Sequence, residues 1–387
     1  MYSLAHIMDS ATIHFGIDAL IASNPSWKTH RIGLLTNDAA RTKNGIKSRV
    51  ALLKENYQLV RLFSPEHGMR AQGKDGEWMP HQIDEITQLP IVSLYQEQQQ
   101  VNDENIDDLD VLMVDLPDVG VRFYTYLWSM TYFIEAAARK SKKIVILDRP
   151  NPLGGDINKS EGPLLNDNCS SFIGRFNIPI THYCTLGELA LYFNKTEGWD
   201  ADLSIIQCSW KRENTFKDWG IDWVSPSPAL VNYNATVLYP GLCFLEATNI
   251  GFGRNSAHSF QWIGSEVVNI SPLVFTFPGI SLSPQKITTS TTETIGLAIS
   301  PTPDFSSPVF FGLELLFHLN QQFKNYFSWE PYPTQANPSG ENHLDLLLGI
   351  PNAKELMALD LKMFRLKTKS LLSTNWAETI KPYLLYC

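Results

Sequence analysis

The chain has 387 residues, 44% hydrophobic and 18% charged, and its 31 Lys plus Arg against 40 Asp plus Glu leave a net charge of −9. That length suffices for a large buried core, arranged as two domains or as one with a sizeable extension. The composition excludes a small stapled scaffold, no apolar run approaches the roughly 18 to 20 residues that span a bilayer, and the negative field disfavours nucleic acid as a partner.

The first nine residues carry no cationic stretch ahead of an apolar core, which predicts a cytoplasmic location, or a periplasmic or secreted one if the chain is a trimmed form. The five cysteines, Cys169, Cys184, Cys208, Cys243 and Cys387, form no CxxC pair and read as reduced thiols.

Five apolar, β-branched runs end in polar residues and give way to amphipathic stretches, the pattern of βα units in a parallel sheet. They cover residues 31–37, 59–65, 90–95, 110–115 and 143–148. Helical spacing predicts helices over 46–54 and over 126–140, the latter on Leu127, Met130, Phe133, Ile134 and Ala137. This is an α/β, doubly wound, Rossmann-like layer. After about residue 160 the alternation gives way to Trp, Pro and short strand-like pieces such as 202–206. Residues 271–303 read as short strands joined by turns, and 311–323 return to helical spacing. The expected organisation is a Rossmann-like catalytic domain over 1–165 and a second, smaller α+β, β-rich domain over 166–387, with a cleft between them.

In such sheets the ligand crevice lies beyond the carboxyl ends of the strands. The exits here are Asn37, then Glu66-His67, then Asp115 and Asp118, then Asp148-Arg149-Pro150-Asn151. Asn37 or Asp118 taken alone reads as a cap or turn residue, but several polar exits on one rim point to a site. The segment 148–155 is broken by prolines and reads as a rigid loop rather than a phosphate loop. GxGxxG, GxxxxGK[ST], HExxH and GxSxG are all absent, so dinucleotide, nucleotide, zinc and serine-hydrolase chemistry recede and neither a metal nor a cofactor is expected.

Carboxylates remain. Glu66 follows a strand between Pro65 and His67, Glu77 sits in a glycine-rich loop, Glu161 precedes Gly-Pro, and Glu246 lies in Leu-Glu-Ala-Thr-Asn249. Two carboxyl groups facing one glycosidic bond are the usual apparatus of glycoside hydrolysis. Arg122, Tyr124 and Tyr126 add a cation and two phenols suited to a carboxylate-bearing sugar, with core aromatics at a helix start as the other reading of the tyrosines.

With these segments assembled, the chain resembles the bacterial exo-β-N-acetylmuramidase (NamZ) family of glycoside hydrolases. The resemblance rests on residues 32–37, 63–68, 89–95, 115–126, 147–155, 161–163, 185–190, 225–228, 239–241 and 246–249 in order, and runs to the terminal 382–386. It implies a Rossmann-like domain with a β-rich one, no cofactor, and release of N-acetylmuramic acid from the non-reducing ends of peptidoglycan fragments. It also implies Glu66 and Glu77 as the leading catalytic pair with Glu161 close behind, and Asn37, His67, Arg122, Tyr124, Asp148, Arg149, Asn151, Glu246, Asn249 and Arg254 around the sugar. The chain departs from the family pattern where His258 replaces an arginine and Gln261 a glutamate, changes that bear on substrate choice. A cell-wall-fragment binding protein without turnover, or a hydrolase of another acidic sugar, are the alternatives.

Overall fold

In a computed structural model, residues 13–74, 76–78, 80–94, 101–288 and 293–387 are described. Helix α1 (Gly16–Ser23) precedes β1 (Ile32–Thr36), α2 (Ser48–Lys54), β2 (Leu59–Ser64), β3 (Gln82–Ile83), β4 (Pro90–Ser93) and β5 (Val111–Asp115). Then follow α3 (Tyr126–Arg139), β6 (Lys143–Leu147), α4 (Leu186–Thr196) and β7 (Asp202–Ile206). These strands form one seven-stranded sheet in the order β3-β4-β2-β1-β5-β6-β7, parallel except for the edge strand β3. All five apolar runs are strands, Tyr95 lying outside the described residues. The piece at 202–206 joins this first sheet as its far edge.

Alternation along the strands divides the sheet between two cores. On β5, Val111 and Met113 face the side packed by α1 and α2, whereas Leu112 and Val114 face the side packed by α3 and α4. Both faces are buried, so the strands read as continuous apolar runs.

Most of the rest of the chain packs against the α3 side, while residues around 208–221 and 385–386 pack on the α1 side. It comprises α5 (Tyr233–Leu242), β8 (Trp262–Gly264), β9 (Ile280–Thr288), β10 (Glu293–Pro301), α6 (Pro308–Gln322), α7 (His343–Leu348), α8 (Leu361–Leu372) and α9 (Trp376–Ile380). The last three strands form an antiparallel sheet in the order β8-β10-β9. Helices α5 and α6 cross backbone to backbone: a Cβ on Gly241 would lie 2.2 Å from the Pro308 carbonyl oxygen, so only glycine permits the approach. That crossing fixes the 3₁₀ turn Cys243–Ala247, which leaves α5 and rests against α7. The turn carries Glu246, and α7 begins with His343. Among the described residues, no helix is long and apolar enough to cross a membrane.

A candidate active-site cleft between sheet rim and second layer

Glu66 leaves β2 through a turn in which His67 and Gly68 both have positive φ, 65° and 70°. Histidine is among the residues that tolerate this region, and the His67 ring is tied to the Gly73 carbonyl at 2.8 Å. The turn returns the chain over Glu66, whose Oε1 accepts from Gly76 N at 2.6 Å. Its Oε2 accepts from the Thr125 hydroxyl at 2.5 Å. Two fixed donors therefore orient a carboxyl group that is only 5% exposed.

Across the cleft, Glu246 accepts from Arg254 in a part-buried ion pair and shares a 2.7 Å hydrogen bond with His343 Nε2. His343 stacks on Tyr332, ring centroids 4.7 Å apart. The Arg254 guanidinium sits over Phe252 and Phe260. Burial lowers its pKa, opposed by the charges of Tyr332 and of Glu66. Arg254 thus pairs with Glu246 while lying in the field of Glu66. Phe123, Tyr124, Tyr239 and Phe260 supply the apolar wall.

The space between is about 60 Å³, room for a few water molecules. It is small because two segments meet over it: Trp78 N donates to the Gln335 side chain, and Gln335 N donates to the Gly76 carbonyl at 3.2 Å.

Of the residues singled out in the sequence, Glu66, His67, Tyr124, Glu246 and Arg254 line this cleft. Asn37 stands behind it, donating to Tyr126, whose hydroxyl donates on to the Pro226 carbonyl at 2.6 Å. Glu77 is exposed and accepts from Lys74 N within its own turn. Glu161 accepts from Val309 N at the start of α6, where burial pushes its carboxyl up to about 7.

Arg122 is wholly buried and spans the carbonyls of Pro163, Ile178 and Leu347, burial pushing it down to about 9. Asp148, pushed up to about 6 by burial, accepts from Thr185, Gly187 and Tyr386. Asn151 donates to the Cys184 carbonyl and Asn249 to that of Tyr326. Arg149 pairs with Asp115 on the far side of the rim. His258 and Gln261 do not line the cleft. Thr125, Tyr332 and His343 are the site residues that sequence reasoning passed over. Thr125 lies in the segment that joins the exit of β5 to α3, whereas Tyr332 comes from a loop and His343 from the start of α7, with no such mark.

The family model described as exo-beta-N-acetylmuramidase NamZ, N-terminal, matches residues 32–234, and its C-terminal counterpart matches residues 237–386. The chain belongs to the NamZ family. It is 39% identical to the peptidoglycan beta-N-acetylmuramidase NamZ of Bacillus subtilis (strain 168) over 274 residues, 70% of this chain and 66% of that protein. The match therefore spans just under two thirds of the relative's length. Among solved structures, a DUF1343 family protein from Bacteroides fragilis NCTC 9343 is similar with a TM-score of 0.84 at 25% identity, covering 97% of this chain and all of that one. A second from the same organism gives a TM-score of 0.71 at 26% identity, over 97% of this chain and 99% of that one. The two NamZ models meet between residues 234 and 237, inside α5. Glu66 falls in the N-terminal match and Glu246 in the C-terminal one.

Proposed function

We propose that the protein is an exo-acting β-N-acetylmuramidase that releases N-acetylmuramic acid from the non-reducing ends of peptidoglycan fragments, with Glu66 and Glu246 as its two working carboxylates. The observation that carries this is the cleft itself, where Glu66 from the first layer and Glu246 from the second line one pocket together with Arg254. Family membership and the likeness to the Bacillus subtilis enzyme support the substrate class.

In glycoside hydrolysis one carboxyl group protonates the leaving oxygen while the other attacks the anomeric carbon or activates water. Gly76 N and Thr125 fix the orientation of Glu66, and Arg254 and His343 fix that of Glu246. The phenyl and phenol rings exclude water from the bond that breaks. A pyranose ring enters when the segments carrying Trp78 and Gln335 part. Five free cysteines, four of them buried, suit the reducing cytoplasm in which recycling of wall fragments takes place.

The test is product analysis by mass on a muramic-acid-terminated fragment and on a chromogenic N-acetylmuramide. Wild type releases free N-acetylmuramic acid, Glu66→Gln and Glu246→Gln reduce turnover by at least about a thousandfold, and Glu77→Gln stays within about twofold of wild type, as an exposed substitution should. If N-acetylmuramic acid never appears, or Glu66→Gln turns over normally, the proposal fails.

A further inference from the structure

A second cavity opens on the same rim, at the point where the strand order reverses between β1 and β5. Ligands of doubly wound sheets settle at this position. Its volume is about 420 Å³, within the roughly 300 to 1,000 Å³ common for small-molecule sites. Residue Pro226 lines it and the adjacent Ser227 lines the catalytic cleft, so the backbone held by Tyr126 is the partition between the two.

One wall is aromatic, formed by Phe15, Phe216, Trp219 and Trp223. Two buried polar atoms on its lining residues have no hydrogen-bond partner among the described residues. They are Trp219 Nε1, on a side chain 8% exposed, and Asp118 Oδ1, on one 7% exposed. Buried polar groups are seldom left unsatisfied, and each such group calls for a partner. Burial raises the Asp118 carboxyl to about 7, so near neutral pH it can either donate or accept. The Trp indole can only donate.

The rings stand edge to face, Phe216 meeting Trp219 at 69° and Trp223 at 88°. They form a corner rather than a parallel-walled slot, which suits a thick, puckered ring better than a flat base. Arg41 and Lys43 stand at the same cavity.

From this geometry we infer a second saccharide site, in which an N-acetylated sugar ring rests on the aromatic corner and its hydroxyls reach Trp219 and Asp118 after a small shift of the lining atoms that now cover them. The choice of a wall sugar rests on the function proposed above; the cavity and its unmatched groups do not. The sugar is either the distal part of the fragment held in the cleft or a separate saccharide.

Titration calorimetry with free N-acetylglucosamine on the full chain decides it. Saturable binding is expected, unchanged in Glu246→Gln and weakened about tenfold or more, at least 1.4 kcal/mol, in Trp223→Ala and in Asp118→Asn. Asp118→Asn keeps the side-chain volume, and a melting curve confirms that each variant is folded. No saturable binding, binding abolished by Glu246→Gln alone, or tighter binding of adenosine overturns the site. A distal subsite lowers kcat/KM for long fragments in Trp223→Ala but spares the chromogenic monosaccharide; a separate saccharide spares both. These readouts need no turnover, so the inference and the proposed activity can fail independently.

Discussion

The Thr125 hydroxyl stands where a capping side chain would close the start of α3, yet it donates to Glu66 Oε2 at 2.5 Å and makes no cap. Helix capping of this kind is ordinarily worth about 1 kcal/mol, and here the donor is given to the carboxylate instead. Thr125→Val should therefore lower kcat by roughly ten- to a hundredfold, the loss of one hydrogen bond to a charged group, with KM little changed. Thr125→Ser should recover most of it. A Val variant with full kcat would remove Thr125 from the site.

Gln335 and Trp78 latch the two segments over the cleft. When the binding-competent state is a minority, apparent affinity falls by its population. Gln335→Ala removes one hydrogen bond, roughly 0.5 to 1.5 kcal/mol, and should lower KM about two- to tenfold. A KM that stays the same or rises would show that the segments do not have to part.

Arg122 holds three carbonyls, one of them that of Leu347 in the cleft lining, but is not itself part of that lining. Arg122→Met should cost about 3 kcal/mol or more, since each buried acceptor left alone costs roughly 1 to 3 kcal/mol. A lower melting temperature with kcat retained in the folded fraction is the expected pair of results. Undiminished stability with a lost kcat would place this guanidinium on the substrate.

Glu161 gives a pH signature. Burial raises its folded-state value from 4.5 to about 7. Its contribution to stability is fully present below about pH 4.5 and is lost as pH rises through about 7, because the native state then binds more protons than the unfolded one. The loss is at most roughly 3 kcal/mol at 1.36 kcal/mol per unit. Glu161→Gln keeps an acceptor for Val309 N and carries no charge, so in urea titrations its advantage over wild type should widen from pH 5 to pH 8. A gap independent of pH, or loss of turnover in a stable variant, would contradict the structural role.

The sheet was legible because both of its faces are buried, so each main strand is an uninterrupted apolar run such as Val111–Asp115. Strand β3 was not: Gln82 and Ile83 form an exposed two-residue edge with no pattern to read. Glu66 could be found because it leaves a strand at the carboxyl rim. Arg122, Asp148 and Asn151 share that signature but meet backbone groups and other side chains of the protein itself. A buried polar residue looks the same in sequence whether its partner is a ligand or a carbonyl. His343 reaches Glu246 across 97 residues, and no local pattern encodes a pairing made by the packing of α7 on the Cys243–Ala247 turn.

The bond from the Tyr386 hydroxyl to Asp148 Oδ2, 2.6 Å long, joins residues 238 positions apart and lies at the exit of β6. Because chains are made from the amino end, Asp148 waits for this partner until 238 further residues have been added. The parallel sheet can collapse earlier, but its rim is completed only once Tyr386 has emerged. Contacts of such long range make folding slow, and a nascent chain stalled before Tyr386 would leave the Asp148 carboxyl without one of its donors at the heart of the molecule.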